Sequence, residues 1–201
     1  MIGIIDYDVG NIFSLTAALK RLGCNTRLVK EENDGRDCRA LILPGVGAFG
    51  DAIKHLQNDR LDRLLTGWAG DGKPLLGICL GMQLLFEQSE EYGLHRGLGL
   101  LPGEIVKIPS GVKIPHMGWN RIVYDQEHYL FTGLQESYVY FVHSYYAATR
   151  DERILASAAY GTKIPAVVGK DNIIGMQFHP EKSGRAGLKL LENWVNHLTN
   201  K

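Results

Sequence analysis

The sequence predicts an α/β fold: a mostly parallel central sheet flanked by helices, carrying an antiparallel β extension. Three observations predict it. In the first half, short apolar runs alternate with stretches of helical period, the pattern of strand–helix–strand units and a parallel sheet. In the second half, short β-rich pieces separated by turn residues replace that alternation, which suits antiparallel hairpins added to the sheet. Composition supplies the third: 45% hydrophobic and 22% charged residues are an ordinary globular balance, and 24 glycines in 201 residues exceed the usual ~7%, as many tight turns require.

The elements follow in order. Ile2 to Ile5 read as a buried strand ending at the turn-like Asp8-Val9-Gly10-Asn11. Asn11 caps a helix with Leu15, Leu19 and Leu22 on one face, closed by Gly23. Thr26 to Val29 and Ala40 to Leu43 are two more strands, the second stopped by Pro44. A glycine-rich loop leads into a helical pattern from Asp51 to about Trp68, Pro74 opens the apolar run Leu75 to Cys79, and Met82, Leu85 and Phe86 begin a further helical face. From Glu104 onward come Ile105 to Ile108, Arg121 to Tyr124 and Tyr138 to Val142, then Ile154 to Ala159, Ala166 to Val168 and Ile173 to Phe178. The last segment, from about Ser183, is helical again through Leu188, Leu191, Val195 and Leu198. No repeat, low-complexity tract or linker interrupts the chain, so residues 1–201 are expected to form one domain.

Charge and cysteines exclude several classes. Lys plus Arg and Asp plus Glu each number 22, so nothing pulls the chain toward nucleic acid or an anionic membrane. A zero balance also gives little self-repulsion, which suits a subunit of a complex. Cys24, Cys38 and Cys79 show no CxxC or CxxH spacing, so neither a disulfide framework nor a metal site is expected. No apolar run approaches the ~20 residues that span a bilayer, and the first residues turn polar too soon for a signal peptide. A cytoplasmic location is expected.

Two motifs mislead. Gly45 to Gly50 matches G-x-G-x-x-G after a strand, but the next strand ends in Cys79 rather than in the acidic residue a dinucleotide site wants. Gly67 to Lys73 spells the start of a phosphate loop, yet Pro74 follows, with neither a hydroxyl nor an N–H to offer.

Gly77-Ile78-Cys79-Leu80-Gly81-Met82-Gln83 carries the chemistry. It has the form G-x-nucleophile-x-G between a strand and a helical pattern, with cysteine in the place of serine. A sharp turn there exposes the thiol at the sheet's C-terminal edge, a helix N-terminus behind it favours thiolate, and the N–H of Leu80 can donate to an oxyanion. Cys24 and Cys38 have no such context and read as small hydrophobes. His179 ends the last apolar run and precedes Pro180 and Glu181. Proline holds its predecessor extended, so His179 and Glu181 project to one side and the carboxylate can orient the imidazole. Cys79, His179 and Glu181 are then nucleophile, base and orienter. Gly45, Val46 and Gly47, after the neighbouring strand, are placed to complete an oxyanion hole.

Together these residues resemble the class I (triad) glutamine amidotransferases, and within them the glutaminase subunits of imidazole glycerol phosphate synthases. The cysteine elbow and His179-Pro180-Glu181 mark the class. Pro44 to Gly50, His116-Met117-Gly118-Trp119-Asn120 and Phe141-Val142-His143-Ser144-Tyr145 narrow it. A small departure is Asp8, outside those motifs, where the family more often has glycine. The resemblance implies that Cys79 attacks the side-chain amide of glutamine, His179 handles the protons and Glu181 orients it. It implies an oxyanion held by Leu80 and the 45–47 turn, with substrate held by Gln83 and the backbone of His143, Ser144 and Tyr145. It implies no cofactor, and a heterodimer with a (β/α)8-barrel cyclase subunit that receives ammonia, with Trp119 as a candidate interface anchor or an ordinary half-buried indole. Glutamine use would be coupled to demand if the flexible turn of Gly45 and Gly47 rested in the wrong orientation until ribonucleotide bound at the partner. Sister glutaminases of anthranilate, guanylate or carbamoyl phosphate synthesis, a purely interacting subunit and a cysteine hydrolase of another substrate stay open at this point.

Overall fold

The computed structural model describes residues 1–199. Its first half builds β1 (Ile2–Ile5), α1 (Ile12–Arg21), β2 (Thr26–Val29), β3 (Ala40–Leu43), α2 (Phe49–Asn58), α3 (Leu61–Gly70), β4 (Leu75–Ile78) and α4 (Leu80–Leu84). Then come β5 (Phe86–Ser89), β6 (His95–Arg96), β7 (Leu101–Lys107), β8 (His116–Tyr124), β9 (Ser137–His143) and β10 (Tyr145–Ala148). The chain continues through β11 (Ile154–Ala159), β12 (Lys163–Lys170) and β13 (Ile173–Met176) to α5 (Gly184–Thr199).

A nine-stranded sheet runs in the order β2-β1-β3-β4-β13-β12-β11-β8-β9. The first five are mutually parallel, and the last four add in antiparallel fashion. The parallel strands β1, β3, β4 and β13 are four residues long and buried throughout, because helices cover both of their faces. One core cluster joins α1 and α5 to the sheet through Leu15, Leu19, Leu191 and Trp194; the other joins α2 and α3 through Leu56, Leu65 and Trp68. The antiparallel half curls back, so that β9 meets the segment after β13: the N–H of His179 donates to the carbonyl of Tyr140 at 3.0 Å.

The predicted helix at Asn11 forms as read, with the Asn11 side chain accepting from the N–H of Ser14 at 3.4 Å. Three readings need correction. The pattern from Asp51 to Trp68 is two helices, because Arg60 adopts the left-handed conformation (φ 57°) after the turn-prone Asn58-Asp59. The helical face expected through Phe86 stops at Leu84, since Phe86 pairs with Leu101 and starts a strand. That strand belongs to an unforeseen second sheet of four strands, β10-β7-β5-β6. The β8 and β7 strands also start earlier than their apolar cores suggest.

Candidate active site

Three neighbouring parallel strands deliver the chemistry to one edge. The end of β3 runs into the turn 44–47, the end of β4 into Cys79, and the end of β13 into residues 177–181, side by side in the sheet order β3-β4-β13. Ligands of open α/β sheets gather at such carboxyl ends. Cys79 takes φ 55° and ψ −114°, a strained conformation costing of order 1–3 kcal/mol. It is held from both sides, by its N–H on Met176 O at 2.8 Å and its carbonyl accepting from Gln83 N at 3.2 Å. Glycine is required at 81, where a Cβ would land on the carbonyl oxygen of Leu43, so the elbow packs directly under the turn that follows β3. α4 runs only five residues, so a helix dipole contributes little here.

His179 is fixed at backbone and ring. Its carbonyl accepts from Ser183 Oγ at 2.6 Å, and that Oγ accepts from Tyr140 N at 2.9 Å. The imidazole Nδ1 lies 2.9 Å from Glu181 Oε1, both side chains only 3% exposed. Burial by itself pulls the ring down, but Cys79 and Glu181 outweigh it and raise His179 to about 9. That direction favours the protonated ring. Nε2 is buried without an aligned hydrogen-bond partner, while Cys79 is the first of the two groups that raise the ring.

A cavity of about 430 Å³ opens over these groups. Val46 and Gly47 form one lip, Cys79, Leu80 and Gln83 the floor, His143, Ser144 and Tyr145 a wall, and His179 the base side. Gly45 and Glu181 sit behind that lining, Gly45 against Tyr7 and Gly81 and Glu181 behind His179. Tyr7 anchors the turn by donating to the carbonyl of Pro44 at 2.8 Å, while Gly47 takes the left-handed φ of 91° that the turn demands. Gln83 donates through Nε2 to Tyr145 O at 2.9 Å and to Gln177 Oε1 at 3.0 Å. That leaves its Oε1 to accept from a ligand.

Glu91, Pro115, Val142 and Lys182 also line the cavity and were missed in the sequence. Glu91 accepts from Phe49 N at 2.6 Å, the first N–H of α2. This contact also disposes of the G-x-G-x-x-G match, because a protein carboxylate takes the N–H a pyrophosphate would need. Nothing local separates Glu91 from a solvated acidic pair with Glu90; only the second sheet brings it here. Lys182 follows Glu181 directly and could have been weighed with it. The other decoy, Gly67 to Lys73, closes α3 rather than opening a helix.

A strained cysteine elbow, a buried His–Glu pair and a glycine turn thus meet at the carboxyl edge of a parallel sheet, an arrangement suited to nucleophilic chemistry. The chain belongs to the family described as glutamine amidotransferase class-I, whose model matches residues 3–198. Among relatives, it is 48% identical to the imidazole glycerol phosphate synthase subunit HisH of Geobacillus sp. (strain WCH70), over 100% of this chain and 99% of that one. It is 52% identical to the subunit of the same name from Desulfitobacterium hafniense (strain DSM 10664 / DCB-2), over 98% and 95%. Two solved structures share the fold at a TM-score of 0.79: a glutamine amidotransferase at 20% identity and PurLQS from Thermotoga maritima at 21%, each over 98% of both chains.

Proposed function

We propose that this chain is the glutaminase subunit of an imidazole glycerol phosphate synthase, with residues 1–201 as one amidotransferase unit working in the cytoplasm. The convergence of Cys79, the His179–Glu181 pair and the 45–47 turn on one cavity carries the reading. The Cys79 thiolate attacks the amide carbon of glutamine, and the oxyanion that forms is held by the N–H of Leu80 and the N–H groups of the turn. His179, already protonated, gives its proton to the departing ammonia and leaves a γ-glutamyl thioester. The now neutral imidazole takes a proton from water, which attacks the thioester and releases glutamate. Glu181 keeps Nδ1 protonated throughout, so that Nε2 does the transfer.

Glutamine would be held by its two charged ends. Glu91 and Gln83 Oε1 suit the α-ammonium, and Lys182 with the backbone of 143–145 suits the α-carboxylate. Ammonia passes to a (β/α)8-barrel cyclase subunit that makes imidazole glycerol phosphate and an aminoimidazole carboxamide ribonucleotide. The outer face of β8 and β9 supports a docking role. Met117, Trp119 and Tyr138 are exposed there, and Met117 pairs with Val142 at the cavity rim. Trp119 is 57% exposed, with its ring edge-on to Tyr140, as an interface anchor would be. Turning of the peptide at Gly47 would couple glutamine use to ribonucleotide bound at the partner.

The test is glutamate release from glutamine by this chain with a cyclase barrel, with and without the ribonucleotide. Release rising steeply with both is the expected result. Full release by the chain alone would overturn the coupling, and none under any condition would return the chain to a sister pathway or to another hydrolase.

A further inference from the structure

Two buried histidines take no part in the chemistry at Cys79. His116 on β8 and His143 at the end of β9 are partners in register and are 3% and 7% exposed. Their rings belong to a single chain of hydrogen bonds. Asn120 Nδ2 lies 3.2 Å from His116 Nε2, His116 Nδ1 lies 3.0 Å from His143 Nε2, and His143 Nδ1 lies 2.8 Å from the carbonyl oxygen of Tyr145. That carbonyl also accepts from Gln83 Nε2, on the nucleophile's helix, at 2.9 Å.

The ends of the chain dictate where its protons sit. A carbonyl only accepts, so His143 carries its hydrogen on Nδ1. Burial lowers both rings to about 4, so both are neutral at pH 7 and His143 Nε2 is an acceptor. His116 must then carry its own hydrogen on Nδ1, leaving Nε2 to accept from Asn120. The other end agrees: Asn120 Oδ1 accepts from Arg121 N at 2.8 Å while Nδ2 also donates to Ala159 O at 3.1 Å. Every donor thus points toward Tyr145, and an added proton would set N–H against N–H. His116 is also stacked between Phe141 and Tyr160, at centroid distances of 4.5 and 3.9 Å, so it cannot swing away without breaking both contacts.

A fully satisfied buried network of this kind fixes one geometry. What it fixes is the segment 143–145, which joins β9 of the large sheet to β10 of the small one and walls the cavity. We infer that His116 and Asn120, neither of which lines the cavity, are positioning residues for glutamine binding. Acting through His143, they lock the Tyr145 carbonyl against Gln83 and so set the wall at its distance from Cys79. The inference rests on the glutaminase reading of this cavity.

Calorimetric titration of glutamine into the full-length Cys79→Ala chain, with the barrel subunit present, reads binding without turnover. Adding His116→Phe keeps the stack and removes the donor, and the Kd for glutamine is expected to rise about tenfold. His116→Asn can place an amide N–H where Nδ1–H stood and is expected to restore Kd to within about threefold, whereas His116→Gln, which reaches the Nε2 position, is not. With Cys79 intact, the Phe change should raise KM for glutamate release and leave kcat within about twofold, a split that general loss of fold would not give. An unchanged Kd in the Phe variant overturns the inference. Should that variant not fold, equal Kd values for the Asn and Gln variants overturn it instead. Absence of glutamine binding by the Cys79→Ala parent would bring down the glutaminase reading, and this inference with it.

Discussion

The parallel and antiparallel halves of the large sheet solve different problems. In the parallel half, β3, β4 and β13 are four-residue strands buried on both faces with no exposed side of their own, so a site can form only at their ends. Strand order alone brings the turn after β3, the elbow after β4 and His179 after β13 together. At the antiparallel edge, β8 and β9 are longer and bury one face while opening the other: β8 buries His116 and Ile122 while exposing Met117, Trp119 and Val123. There the side chains themselves differ by face, inward as the hydrogen-bonded chain to Tyr145 and outward as an apolar face. Topology gathers strand ends, and side-chain networks fix the wall beside them.

If that division holds, substitutions at the parallel strand ends should strike kcat. Cys79→Ala removes the nucleophile, and glutamate release should fall by about 10⁴ or more with glutamine binding kept. Gly81→Ala pushes a Cβ onto Leu43 O, shifting elbow and oxyanion turn against each other. A loss of about 10²-fold in kcat is expected, comparable to removing an oxyanion donor, and steady-state assays of the purified variant would check it.

Glu181→Gln should cost about tenfold in kcat and also move the pH profile. His179 is raised to about 9, so its proton is present below that value and lost as pH rises through it. The alkaline limb of kcat/KM should therefore fall near pH 9 and shift to lower pH in the Gln variant. The same sign governs stability: the pair's contribution is complete below the ordinary histidine value of 6.5 and disappears by about 9. Denaturant titrations across that window should show the wild type losing more stability than the variant.

The smallest effect on the chemistry should come from the outer face. Trp119→Ala should leave Tm and the catalytic groups unchanged while weakening association with the barrel subunit by about tenfold or more. Analytical ultracentrifugation of the mixed subunits reads this, and unchanged association would place the interface elsewhere.

How much of this was legible depended on sequence distance. The elbow, the turn after Leu43 and the His179–Glu181 pair are each local patterns of a few residues, and parallel-sheet topology was enough to bring them together. The helix break at Arg60 was not legible, because no breaker stronger than Asn58-Asp59 marks it. Glu91 was not legible either, since it reaches the cavity only through the small sheet, whose strands β5, β6 and β10 carry no clear alternation of their own. The His116–His143 chain was hidden for a third reason. Two histidines 27 positions apart become one hydrogen-bonded unit only through the register of β8 with β9.

On the proposed function, these strand ends make Cys79 the nucleophile on glutamine. The most direct measurement is acid quenching of the complex during turnover, with the barrel and its ribonucleotide present, followed by mass spectrometry of the peptide containing Cys79. A γ-glutamyl thioester on Cys79, lost in Cys79→Ala, is the expected result. Sustained glutamate release by Cys79→Ala, or the adduct on any other residue, would contradict it.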